Sequence, residues 1–225
     1  MNHDEFLQLL DTPEPQKFVD ELIGALAEVY RFNADRLEPE MGDDDQWFGF
    51  SVYRNGWYRI EVRVGPLIGV RTSRPNNSLQ ISVDGGVRFH VYRGGKDEKY
   101  DIYTYDLNSG TPTKISLAKN NDRQLSLFEE VLPEEGDHSW RLSDLVIVHS
   151  GNAEDGLTGV WVGAPVTEAA DGSQWAWVLQ LYFPHEESDR GAKPENDSMQ
   201  RFSDAPEPDL DLGLLEDDES GEEAG

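Results

Sequence analysis

The chain has 225 residues, no cysteine, and 45 acidic against 19 basic side chains, for a formal net charge of −26. Absence of cysteine excludes disulfides, thiolate catalysis and Cys-ligated zinc. No apolar run approaches the roughly 20 residues of a membrane span, and an apolar share of 37% suits one hydrophobic core rather than two.

The opening residues, MNHDEFLQLLD, are acidic where a signal peptide is basic, so a cytoplasmic location is expected. Thr12-Pro13-Glu14 resembles a helix start, with a hydroxyl cap, a proline in the first turn and an acid near the positive end of the helix dipole. Phe18, Val19, Leu22, Ile23, Leu26, Val29 and Tyr30 then recur at three- and four-residue intervals, the stripe of an amphipathic helix running to about Phe32. The acidic loop EPEMGDDD ends it.

From Trp47 the period changes to two. WFGFSVYR and WYRIEVRV flank Asn55-Gly56, the dipeptide of a type I′ turn, and together they predict a β-hairpin. Further strands are predicted at 67–73, 79–83, 87–93, 100–106 and 112–117, joined by turns at PNNS, DGG, GGK and NSGTP. Three more follow in WRLSDLVIVHS, GLTGVWVGAPV and SQWAWVLQLYFP. The last is apolar on both faces and is expected at the centre of the sheet. Beyond Pro184 the composition is acidic and poor in aromatics, which predicts a disordered tail over 185–225 after a single domain at 1–184. The fold class expected is α+β: an N-terminal amphipathic helix on a twisted antiparallel sheet or partly closed barrel, with an acidic disordered C-terminal tail.

Sites of chemistry are sparse. The five histidines lack ligand spacing, and no phosphate-binding glycine loop or nucleophile elbow occurs, so no metal, no cofactor and no catalytic residue is assigned. Asp144, His149 and Ser150 share a strand, but alternation separates neighbouring side chains. Charge is unevenly spread: residues 46–121 carry a net +5, whereas 1–45, 122–187 and 188–225 carry −10, −11 and −10. Trp57, Arg59, Arg63, Arg71, Arg88, His90 and Arg93 therefore define a candidate basic and aromatic face, the mixture that neutralises phosphates and stacks bases. An acidic protein partner would suit the same residues, and the acidic flanks weaken the case for direct nucleic-acid binding.

Residues Gln124, Leu125, Ser126, Leu127 and Phe128 form the pentapeptide QLSLF. It resembles the linear motif that binds the bacterial sliding clamp, usually Gln-Leu-Ser or Asp-Leu-Phe. The resemblance implies that Gln124 enters a polar subsite and Leu127 with Phe128 an apolar cleft, while Leu125 and Ser126 shape the peptide. The same residues also read as a short core-facing helix, because Ser126 and Glu129 have capping-box spacing. Two classes of function follow. One is a non-catalytic adaptor or regulator recruited to the replication clamp. The other is an acidic protein-binding or chaperone-like module, which would expose an apolar patch or dimer face. A DNA-mimic inhibitor and an enzyme without a recognisable motif remain further alternatives.

Overall fold

The computed structural model describes residues 1–75, 78–96, 100–107, 112–131 and 142–184, without the side chains of 128–131. The predicted tail at 185–225 and the loop at 132–141 lie outside them, as do parts of the PNNS and NSGTP turns. Within the described residues the architecture is α+β, with helices on both faces of an open six-stranded sheet.

Three helices precede the sheet. A short α1 (His3–Leu9) is closed by an Asn2/Glu5 capping box, and α2 (Pro15–Ala34) starts with proline in its first turn. The stripe predicted for α2 is observed. Phe18, Leu22, Leu26 and Tyr30 are fully buried, and they bring α2 onto the central strands.

The predicted hairpin at 47–64 is instead one helix, α3 (Asp45–Val64), capped by Asp44, whose carboxylate accepts from the backbone N–H groups of Gln46 and Trp47. Two periodicities coexist in these residues. Phe48, Val52, Gly56, Ile60 and Val64 recur every four and are buried, which is the helical pattern. Packing against α2 selects it: Asn55, expected at a turn, donates from Nδ2 to Asn33 Oδ1 at 2.8 Å. Gly56 is buried in mid-helix.

The sheet follows the order β1 (Val70–Ser73), β2 (Gln80–Val83), β3 (Arg88–Arg93), β4 (Asp144–Asn152), β5 (Gly156–Pro165), β6 (Trp175–Tyr182). Neighbours are antiparallel except β3 and β4, so the sheet is mixed rather than wholly antiparallel, and it does not close into a barrel. The Asp84-Gly85-Gly86 turn joins β2 to β3, with both glycines at positive φ.

A parallel pair needs a crossover. It contains a single 3₁₀ turn at Ile102–Thr104 and α4 (Pro112–Val131), where strands were predicted at 100–106 and 112–117. The RGGK stretch after β3 accordingly leads into this crossover and is not a hairpin turn.

Strand alternation divides the core. Leu145, Ile147, Val160 and Val162 join Phe6, Phe18 and Phe89 beneath α1–α3; Val146, Val148 and Trp161 join Ile102, Tyr105 and Leu117 on the opposite face. The interior strands β4 and β5 are buried nearly throughout, whereas β6 is an edge strand with most side chains only half-buried. This corrects the expectation that β6 is central. Chain order decides the matter, because β6 returns beside β5 with no later strand among the described residues to flank it.

Candidate functional site

The residues of the predicted basic face do not share a surface. Trp57, Arg59 and Arg63 sit on α3, not on a strand; Trp57 is buried, and the two arginines turn inward onto α2. Arg59 bonds Glu28, while Arg63 donates from Nε to Glu21 at 2.5 Å and from Nη1 to Glu28 at 3.1 Å. The Arg59 hydrogen bond, against the opposing effect of burial, holds the Glu28 carboxyl below its usual range, with the charges of Arg59, Arg63 and Arg31 assisting.

Arg71 lies on the edge strand β1, 3.6 Å from Asp84. On β3, Arg88 pairs with the buried Asp144 at 2.8 Å, and His90 is buried beside it, its pKa lowered mainly by desolvation. Arg93 points the other way and donates to the Gly151 carbonyl at 2.9 Å. Arg59 and Arg63 thus hold α3 to α2, and Arg88 and Arg93 hold β3 to β4.

The pentapeptide lies within the last turns of α4. Gln124 donates to the Ser143 hydroxyl at 2.6 Å and accepts from the Ser143 backbone N–H at 3.0 Å. Leu125 packs against the larger core cluster, and Ser126 donates to the Asp122 carbonyl at 3.1 Å, so Ser126 is interior to the helix rather than its cap. Leu127 is 57% exposed beside a shallow groove with Asp122, Arg123 and Ser126. The Phe128 side chain is outside the described residues.

Histidine 149 is fully buried. It shares a 2.9 Å hydrogen bond through Nδ1 with the Tyr30 hydroxyl. Burial, aided by Arg93, pushes its pKa down to about 3, and burial pushes the Tyr30 phenol up to about 12. Both are neutral near pH 7, and the pair ties α2 to β4. Asp144 bonds Arg88 and Asn120, and Ser150 bonds Thr158, so the three residues form no relay.

The feature that sequence reading missed is the outer face of α3. Trp47, Phe50, Arg54, Tyr58 and Val62 recur at intervals of three and four, and all are exposed. Trp47 is 38%, Phe50 66%, Tyr58 64% and Val62 43% accessible. They line one stripe about 22 Å long at the helical rise. Among the described residues, four of the nine large exposed hydrophobic side chains stand on this one stripe, which makes it a concentration rather than background scatter.

Phe50 also borders an open groove of about 490 Å³ with Asp45, Gly49, Arg93 and Lys96. Gly49 permits that approach, since a β-carbon there would come within 2.7 Å of Arg93 Nη1. The signal was present as a second helical stripe in 47–62, hidden by assigning those residues to strands.

Comparison of the chain with protein-family models, curated proteins and solved structures finds no match. Among the described residues no helix is long and apolar enough to cross a membrane, and no group of three or more His, Cys, Asp or Glu is placed to hold a metal ion.

Proposed function

We propose that the protein is a non-catalytic protein-binding module whose partner surface is the outer face of α3. The exposed stripe of Trp47, Phe50, Tyr58 and Val62 carries this reading. Aromatic side chains in water are costly to leave uncovered, and aromatics with a central arginine are the residues that dominate binding energy at protein interfaces. The helix beneath is rigid, held to α2 by Asn33–Asn55 and by the Arg59 and Arg63 ion pairs, so the stripe is preorganised.

The test is affinity capture from the native cytosol with the full chain and its Phe50→Asp variant, followed by titration of each captured protein in purified form. A partner whose affinity falls at least about tenfold with Phe50→Asp supports the reading. Equal binding of every captured protein to both chains ends it.

Recruitment to a bacterial sliding clamp through residues 124–128 is the second reading, favoured by the exposure of Leu127 in a sequence that resembles the clamp motif. Because Gln124 and Leu125 are engaged within the fold, capture as an extended peptide requires the last turns of α4 to release. Titrating a purified clamp with the full chain and with Leu127→Ala decides it: micromolar binding lost in the variant supports recruitment, and no binding by the unsubstituted chain leaves these residues to packing.

A further inference from the structure

The docking face has a charge arrangement that selects its occupant. Eight residues leading into α3 contain five acids: Glu38, Glu40, Asp43, Asp44 and Asp45. Asp43 accepts from the Glu38 backbone N–H, Asp44 caps α3, and Asp45 pairs with Lys96. Among the described residues Glu38, Glu40, Asp43 and Asp44 meet no cation. Their negative potential covers the end of the stripe that begins at Trp47, and the chain's net charge of −26 adds a long-range attraction for cations.

Arg54 stands at the middle of the stripe. Its guanidinium lies 5.2 Å from the Trp57 ring and makes no ion pair among the described residues. Charge along the face thus changes sign, from the acidic 38–45 loop to Arg54 seven residues beyond Trp47; the other cations nearby are engaged, Lys96 by Asp45, Arg93 by the Gly151 carbonyl and Arg74 by Glu61.

Resting on the docking-face reading above, we infer that the partner is a basic amphipathic helix. Its apolar side chains lie on Trp47, Phe50, Tyr58 and Val62, its lysines or arginines lie against the 38–45 loop, and no cation of it faces Arg54. A straight stripe at three- and four-residue spacing matches the anchors of a helix laid alongside, which is the helix-in-groove mode of recognition. A second copy of this chain is disfavoured as the occupant, because each copy brings the same large negative charge.

The experiment uses the full chain and three fluorescein-labelled helical peptides read by anisotropy. All carry leucines at three- and four-residue spacing, with lysine, glutamate or glutamine at the remaining positions. The lysine peptide is expected to bind tightest and to weaken about tenfold or more with Phe50→Ala. It should weaken several-fold with Glu38→Gln/Glu40→Gln, tighten several-fold with Arg54→Gln, and stay unchanged with Glu168→Gln/Asp171→Asn, two exposed acids in the connection from β5 to β6, at the opposite end of β5 from the turn that packs against Lys96. Circular dichroism of each variant checks folding.

If the glutamate or glutamine peptide binds as tightly and still depends on Phe50, the basic partner is overturned while the docking face survives. Binding of the lysine peptide that ignores Phe50, or falls equally with both acid pairs, reduces the effect to diffuse attraction and overturns the inference. Failure of all three peptides also overturns it, and the captured-partner titration then judges the docking face separately.

Discussion

Helices α2 and α3 are packed partners of twenty residues each, yet they treat water differently. The apolar stripe of α2 goes almost wholly into the core, and its outer surface is polar apart from Phe32 near its end. By contrast α3 carries two apolar stripes, one buried through Phe48, Val52, Ile60 and Val64 and one exposed through Trp47, Phe50, Tyr58 and Val62. A helix needs only one apolar side to hold its place on a sheet. The second side of α3 is therefore surplus to folding, and surplus apolar surface on a rigid element is where a partner surface is to be sought.

Substitutions on the two sides of α3 test this division, and the inner side is expected to show the largest effect. Ile60→Ala removes a fully buried side chain and leaves a cavity, so chemical denaturation should show a loss of about 2–5 kcal/mol. A loss below about 1 kcal/mol would mean that α3 does not seat on the core as described.

The next effect is a pH dependence at the contact between α2 and β4. His149 has a pKa near 3 in the fold, against an ordinary 6.5, so the unfolded chain binds the extra proton as pH falls below 6.5. Stability from this residue is complete above that value and declines down to about pH 3. Between pH 7 and 5 the decline should be about 2 kcal/mol in urea titrations, and His149→Gln should remove that part of the slope. A wild-type slope retained in the variant would assign the acid sensitivity elsewhere, to His90 first, whose pKa is also lowered by burial; Glu28, held below an ordinary 4.5, withdraws its contribution only at lower pH.

The ion pairs between α2 and α3 come third. Glu28→Gln removes the negative charge shared by Arg59 and Arg63, both only partly buried, and should cost about 1 kcal/mol. High salt should reduce the difference between variant and wild type.

The smallest effect on folding is expected on the outer stripe. Phe50→Ala should change stability by less than about 0.5 kcal/mol while abolishing most partner binding. A large loss of stability instead would show that Phe50 supports the fold and would remove the contrast between the two sides of the helix.

Several features were legible in the residues themselves. The α2 stripe, β2, β3 and the three C-terminal strands were readable because their periods are unambiguous or their turns are marked, as at Asp84-Gly85-Gly86. Residues 47–64 were not, because Tyr58, Ile60, Val62 and Val64 alternate as a strand would while Phe48, Val52, Ile60 and Val64 recur as a helix would. Asn55-Gly56 tipped that balance toward a turn. For α4, Ile115, Leu117 and Leu125 give too thin a stripe to be recognised among polar neighbours, and the helix is held by Gln124 to Ser143 and Asn121 to the Asp144 and Pro165 carbonyls.

The sequence by itself determined the acidic charge and its reversal between segments, the absence of thiol chemistry, the mixture of helix and strand, and the seam of apolar residues that becomes the core. These follow from local composition and spacing, which each segment carries alone. Only tertiary structure decided that α3 is a helix, that β6 lies at an edge, that the arginines of 59–93 turn to different partners, and that one aromatic stripe remains outside. Each of those outcomes depends on which distant segment reaches a given side chain first, and alternation within a segment does not contain that information.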